Sequence, residues 1–395
     1  MLDYVTKEFG QMKWKNKGKE YEKIISSILD QNVDVYIWGA GTFGRSFYEL
    51  FKDRINIKGF IDSDENKQCL SLQPNVYLPK YFFEMLLNEN VHIIVASGWI
   101  TEIYGQLRLW GLTEYKNYFH ANEFTSLYML YKENKTYMVS LNIPITTRCT
   151  LRCEKCMALI PYVKKPENRS LQKIKDELNT YFQWVDNLAI LGLGGGDALI
   201  HPQFAQILSW VGEQYYGKKI QDIEVYTNAI IIPSDEILHL MKKYNVIVRF
   251  SDYSKSLPGR QKMQELIDIL EGRKIRYEKC VWDTWYDTGF PQHSNGLFDE
   301  RDLVDHYNKC ITKLCAIEYN KKLYFCSVHA SAVIAGYCEE KSSDYFDLED
   351  YNEGRRSEFI EFNAGYCEKG YLTYCLRCNG YQNINNKYVP VAKQL

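Results

Sequence analysis

The sequence predicts an α/β chain in three parts: a small Rossmann-like module, a second α/β series forming a barrel or partial barrel, and a cysteine-stapled tail. Three observations predict it. Compact apolar strands alternate with helical stretches from Val33 onward. The alternation restarts at Val139 and continues for about 150 residues, which suits parallel strands joined by crossover helices. From about Asp302 it loosens into short segments that hold seven of the twelve cysteines.

Residues 1–125 form the first part. A helix is expected around Tyr21–Leu29, with Ile24, Ile25 and Ile28 on one face. Strands follow at Val33–Trp38, Ile55–Ile61 and His92–Ala96, with helices at Thr42–Phe51, Tyr81–Leu87 and Ile103–Leu109. Residues 126–138 read as a connector. The second series, 139–300, has strands at Val139–Ile143, Leu188–Leu193, Ile223–Tyr226, Val246–Phe250 and Ile275–Val281. Its helices are Leu171–Val185, Phe204–Gly212, Asp235–Tyr244 and Gln261–Leu270, with Ser170 and Ser234 as N-caps. Residues 301–395 are the tail.

Composition narrows the function classes. Of 395 residues, 46% are hydrophobic and 25% charged, as in globular proteins and unlike disordered ones. The formal charge of −2 gives no basic field for nucleic acid. No apolar run approaches the ~20 residues of a membrane span. The start of the chain, with Asp3, Lys7 and Glu8, lacks the apolar core of a signal peptide. A cytoplasmic location is expected, and there clustered cysteines bind metal or do chemistry more often than they form disulfides.

Cys69 and Cys280 stand alone and read as small buried side chains. Cys149, Cys153 and Cys156 follow the strand Val139–Ile143 as C-x3-C-x2-C. Three such thiolates can hold three irons of a 4Fe–4S cluster and leave the fourth open to a small molecule. A zinc site would show a fourth ligand at short spacing, and a disulfide would strand one thiol. The motif and its place after a first barrel strand resemble the radical SAM superfamily. That resemblance implies a partial (β/α)6 TIM barrel and S-adenosylmethionine chelated to the open iron. One residue departs from the pattern: Lys155 stands where an aromatic is usual before the last cysteine.

Three strand ends match the superfamily's order. Gly194-Gly195-Gly196-Asp197 resembles the Gly-Gly-Glu stretch that binds the methionyl amino group, with glycine N–H groups free for a close ligand. Tyr226-Thr227-Asn228-Ala229 resembles Thr-Asn-Gly, so Thr227 and Asn228 are candidate cofactor contacts, or else a polar strand cap. Arg249 and Ser251 resemble contacts to the cofactor's ribose or carboxylate, with a structural ion pair as the other reading of Arg249. His201, before Pro202, reads as structural. The segment Trp282–Gly289 reads either as a polyol-binding loop or as a packed one.

In the tail, Cys315 precedes a hairpin turning at Asn320-Lys321, Cys326 follows it, and Cys375-Leu-Arg-Cys378 closes the set. This resembles the twitch or SPASM extensions of radical SAM enzymes, the single-cluster twitch more than the two-cluster SPASM. It implies an auxiliary 4Fe–4S cluster on Cys315, Cys326, Cys375 and Cys378. Cys310 is an alternative to Cys315, and a structural zinc is the rival occupant. Cys338 and Cys367 read as free thiols.

The first module contains Gly39-Ala40-Gly41-Thr42-Phe43-Gly44 between strand and helix, and Asp62 at the end of the next strand. This is the context of a dinucleotide fingerprint, with an acid for ribose. The module is short for a full dinucleotide fold. Phe60-Ile61-Asp62-Ser63-Asp64 with the following Leu78-Pro79 resembles small Rossmann modules attached to bacterial carbohydrate-modifying enzymes. Its ligand would be a nucleotide or nucleotide sugar, or NAD(H), or it serves as an empty docking domain.

The combined expectation is a radical SAM enzyme reduced by flavodoxin or ferredoxin. S-adenosylmethionine would yield a 5′-deoxyadenosyl radical that takes hydrogen from a carbohydrate or nucleotide sugar, in an oxidation, epimerisation or related change. A radical SAM peptide maturase is the alternative enzyme, and a non-catalytic iron–sulfur redox or binding protein the alternative of another class.

Overall fold

The computed structural model describes residues 22–23, 25–26, 33–67, 74–86, 91–114, 116–290, 300–310, 315–367, 369–381 and 385–395. Cys69 lies outside them. Of the helix expected at Tyr21–Leu29, the described residues 22–23 and 25–26 are helical. The chain divides into two compact units, with the division between Asn134 and Lys135.

The first unit is a five-stranded parallel sheet. Its strands are β1 (Asp34–Trp38), β2 (Ile57–Ile61), β3 (Val76–Tyr77), β4 (Val91–Val95) and β5 (Tyr118–His120), in the order β3-β2-β1-β4-β5. That is the order in which doubly wound nucleotide-binding sheets begin. Helices α1 (Thr42–Phe51), α2 (Pro79–Leu86), α3 (Ile100–Leu109) and α4 (Ala121–Glu133) connect or follow them. α1 buries Gly44, Phe47 and Phe51 at helical spacing.

The expected connector is the main correction here. Residues 126–133 are the second half of α4, which ends on Asn134 in the left-handed conformation (φ 51°). Seven consecutive residues, Phe124 to Leu130, are buried. A helix covered on all sides shows no apolar stripe, so periodicity cannot reveal it.

The second unit carries an eight-stranded sheet. Five strands are parallel and adjacent in sequence order: β6 (Tyr137–Thr146), β7 (Asn187–Gly195), β8 (Ile220–Thr227), β9 (Ile247–Asp252) and β10 (Arg276–Val281). Helices α5 (Leu171–Trp184), α6 (Phe204–Tyr215), α7 (Asp235–Lys243) and α8 (Met263–Gly272) are the crossovers of this partial barrel. Ser170 and Ser234 cap α5 and α7 by accepting from Lys173 N and Ile237 N, as their positions predict. Outward residues such as Leu191, Leu193, Ile223, Val225 and Val248 are fully buried.

The sixth parallel strand does not come from a sixth β/α repeat. β11 (Thr284–Tyr286) leaves the barrel and pairs antiparallel with β15 (Tyr388–Pro390). β12 (Ile317–Tyr319) instead adds parallel to β6, followed by β13 (Lys322–Tyr324) and β14 (Phe346–Asp347). The tail thus covers an edge the open barrel would expose. The β12–β13 turn is at Asn320-Lys321, both left-handed (φ 55° and 59°), and the Glu318 carboxylate accepts from Lys321 N at 2.7 Å. The tail also contains α9 (Glu300–Lys309), α10 (Ser327–Ile334) and α11 (Arg356–Asn363). Among the described residues no helix is long and apolar enough to cross a membrane.

Candidate active site

β6 delivers the loop that carries Cys149, Cys153 and Cys156 to the carboxyl ends of the parallel strands. Leu151 N and the Asn228 side-chain amide each reach the Cys149 sulfur at 3.4 Å. The Gln394 amide reaches the Cys153 sulfur at 3.2 Å. All three cysteines pack with Leu151, Ile230, Tyr253, Leu257, Trp285, Val391 and Ala392. Burial pushes the Cys149 thiol up to about 12 and the Cys153 thiol to about 11, and raises Cys156 against hydrogen bonds from Ile160, Ala158 and Leu159. Thiols buried so close together ionise only when a cation offsets their charge. An iron cluster provides that cation, so the donor set fits one. Among the described residues no three ligand side chains converge as for a single metal ion.

The glycine run packs tightly against the start of the cysteine loop. Gly195 has φ 109°, and a side chain there would meet Thr146 O at 2.1 Å; at Gly196 it would meet Arg148 O at 1.8 Å. Gly196 N donates to Thr146 O and Asp197 N to Arg148 O, so these N–H groups are not free for a ligand. An ammonium group, which only donates, needs acceptors rather than N–H groups.

Asp197 is fully buried and braces two strand ends. Its carboxylate accepts from Leu199 N at 3.0 Å, Thr227 Oγ1 at 3.0 Å and Asn228 N at 3.1 Å. Burial pushes its pKa up despite these bonds. Asn228 is thereby held with its amide on Cys149 and on Thr150 Oγ1 (2.9 Å). Ala229, where the superfamily pattern has glycine, adopts the left-handed conformation at φ 58°.

The sheet face opposite the helices is polar. Gly192 faces Asn142 and the Tyr226 ring. Tyr226 donates to Glu224 at 2.7 Å, and Arg249 pairs with Glu224 at 3.3 Å and Glu278 at 2.9 Å. Arg249 thus makes the ion pairs of its second reading. The Ser251 carbonyl accepts from Gln261, which also bonds Asn228 O and Tyr253 N and so joins the ends of β8 and β9. His201 is structural: its ring bridges Arg169 O and Gln203 N. In the Trp282–Gly289 segment, Asp287 binds Lys155 and Gly289 N, while Trp282, Asp283 and Thr284 are exposed.

A second group of cysteines lies in the tail. Cys310, Cys326, Cys375 and Cys378 line one apolar cavity with His306, Tyr307, His329 and Tyr374. The structure brings Cys310 to this cavity. Cys315, the ligand expected in its place, is exposed and absent from the lining. Cys310 lies just beyond α9, whereas Cys315 precedes the hairpin. Both His329 ring nitrogens are buried without a hydrogen-bond partner, and burial lowers this ring's pKa to about 4. Four thiols in an apolar cavity suit an iron cluster here as well. Cys338 and Cys367 do not line it, and no disulfide joins the described cysteines.

In the first unit, Gly39 has φ 119°, and a side chain at Gly44 would strike Gly39 O at 1.8 Å, so strand and helix pack through the glycines. At Gly41 the space is open. Asp62 turns its carboxylate to the chain: it accepts from Ala40 N at 2.8 Å, Asp64 N at 3.0 Å and Lys67 Nζ at 2.8 Å. Burial alone would raise its pKa, but these partners outweigh burial and lower it.

Residues 143–253 match the family model described as the radical SAM superfamily. The chain carries a radical SAM domain. That superfamily implies a 4Fe–4S cluster and S-adenosylmethionine, which the loop of Cys149, Cys153 and Cys156 would hold. Among solved structures, BtrN in complex with AdoMet and 2-DOIA is similar at 11% identity and TM-score 0.40, over 65% of this chain and 98% of that one. Native anSMEcpe with bound AdoMet is similar at 12% identity and TM-score 0.38, over 61% and 89%. Streptococcus suis SuiB is similar at 12% identity and TM-score 0.31, over 95% and 93%. No curated protein matches the chain.

Sequence reasoning around this radical SAM domain missed Gln394 and Gln261. Neither sits in a motif, and Gln394 is 241 residues from the cysteine it touches.

Proposed function

We propose that this radical SAM enzyme modifies a carbohydrate or nucleotide sugar, with flavodoxin or ferredoxin as electron donor. When bound and reduced, the 4Fe–4S cluster supplies one-electron cleavage of S-adenosylmethionine to methionine and a 5′-deoxyadenosyl radical. The chain's part is to present Cys149, Cys153 and Cys156, to hold Asn228 against Cys149 through Asp197, and to keep water from the loop with Tyr253, Leu257 and Val391. The observation that carries the substrate reading is the polar sheet face below the loop. Asn142, Glu224, Tyr226, Arg249 and Glu278 offer donors and acceptors in rows, as hydroxyl-rich substrates require. Cys310, Cys326, Cys375 and Cys378 would hold an auxiliary cluster able to accept an electron from the substrate, making the net reaction an oxidation.

The test is anaerobic incubation of reconstituted protein with dithionite and S-adenosylmethionine. It should release 5′-deoxyadenosine, with more released when the right sugar or nucleotide sugar is added. No product above a Cys153→Ala control would return the chain to the non-catalytic class. Stimulation by peptides alone would replace the carbohydrate reading. Iron analysis decides the tail: about eight irons per chain means two clusters, and about four means one. Cys310→Ala should then lower iron, while Cys315→Ala should not.

A further inference from the structure

Segment 391–395 returns to the cysteine loop from the far end of the sequence. Cys153 and Gln394 form an antiparallel bridge. Glu154 N donates to Lys393 O at 2.7 Å and Leu395 N to Arg152 O at 2.9 Å. Val391 and Ala392 are buried in the apolar cluster that contains Cys153, Leu151 and Leu257. β15 anchors the segment through its pairing with β11, whose Trp285 packs edge-on against Tyr253 at 5.6 Å.

The Gln394 amide has a fixed orientation. Its Oε1 accepts from Arg152 N at 2.8 Å, and its Nε2 donates to Ala392 O at 2.6 Å and to the Cys153 sulfur at 3.2 Å. The flipped amide would set a donor against Arg152 N–H and an oxygen against sulfur. One N–H is therefore aimed at a cluster-ligating sulfur and held by two backbone groups.

We infer that Gln394 is a positioning residue of the cluster site, setting the cluster's reduction potential through the Cys153 sulfur while Val391 and Ala392 exclude water from it. This rests on the reading that Cys149, Cys153 and Cys156 hold a 4Fe–4S cluster. An N–H donor stabilises the more negative, reduced state of a cluster, so it raises the potential. Removing it leaves a cluster that is harder to reduce.

Gln394→Glu separates the two roles. It keeps an acceptor for Arg152 N but presents an oxygen to the sulfur, and Gln394→Met removes both contacts at similar volume. Both proteins are reconstituted anaerobically, and the cluster is identified as the one whose electron paramagnetic resonance signal changes on adding S-adenosylmethionine. Its midpoint potential should fall in both variants, more in Glu, and iron loss to a chelator should quicken about 10-fold or more. Lys393→Met, which removes only the outer ion pair with Glu154, should leave the potential unchanged. A wild-type potential in both Gln394 variants refutes the tuning role, whatever happens to iron loss. Absence of any S-adenosylmethionine-responsive signal in the wild-type chain would overturn the cluster reading itself, and the role of Gln394 with it.

Discussion

The brace at Asp197 gives a graded test. Its carboxylate takes three donors inside the fold: Leu199 N, Thr227 Oγ1 and Asn228 N. Asp197→Asn can keep its amide oxygen toward Thr227 and Asn228, which leaves the amide nitrogen facing Leu199 N–H. One stranded buried donor costs about 1–3 kcal/mol. Asp197→Ala strands all three, of which the threonine hydroxyl can turn elsewhere, so the expected loss is about 4 kcal/mol. Asp197→Glu restores the superfamily's usual residue but forces a methylene into a fully buried site, at about 1–3 kcal/mol.

For a unit of this size, each kcal/mol lowers the midpoint by about 2–4 °C. Thermal unfolding of the anaerobic protein should therefore rank wild type, then Asn and Glu close together, then Ala lowest. Iron occupancy should follow the same order, because Asn228 loses its hold beside Cys149. Equal midpoints for Asn and Ala would refute the brace, since the argument requires the cost to follow the number of stranded donors.

Two further outcomes follow from local physics. Ala229 is held at φ 58°, a conformation costing an L-residue about 1–2 kcal/mol, so Ala229→Gly should raise the melting midpoint by about 2 °C; a decrease would show the left-handed turn is not strained. His92, buried in β4, has its pKa lowered to about 4 by burial. It folds neutral, so its contribution is present above about pH 6.5 and is lost as pH falls through about 4, at most about 3 kcal/mol. Protection of the β1 and β4 amides, taken relative to the intrinsic exchange rate at each pH, should fall between pH 7 and 5 in the wild type but not in His92→Phe, and an equal fall in both would remove His92 as the cause.

What the sequence made legible was what local chemistry decides. The C-x3-C-x2-C loop, the Ser170 and Ser234 caps and the Asn320-Lys321 turn each depend on neighbours within a few residues, and each stands where expected. Residues 121–133 escaped because burial on all sides erases the periodic signal. Cys315 was preferred to Cys310 because it adjoins the hairpin, yet it is Cys310, just beyond α9, that reaches the cavity. The side-chain partners of Asp62, Asp197 and Arg249 were also out of reach. A polar residue at a strand end has the same pattern whether it faces a ligand or its own backbone.

The two cysteine sites share one scaffold within the second unit, and this explains Lys155. Its ammonium group binds Asp287 at 3.1 Å and Phe290 O at 2.7 Å. The Asp287 carbonyl in turn accepts from Asn379 and Asn385, both at 2.8 Å, and Asn379 directly follows Cys378. Phe290 packs at 5.0 Å on Tyr162, whose hydroxyl donates to Glu154 O in the cysteine loop. Leu159, Phe290, Val328, Tyr374 and Cys378 then form one core with Cys326 beside it. One continuous chain of contacts thus joins the 149–156 loop to the walls of the tail cavity. An aromatic residue at 155 could cover the loop but could not make this ion pair. Here cover comes from Tyr253, Trp285 and Val391, and position 155 is free to tie the loop to the tail.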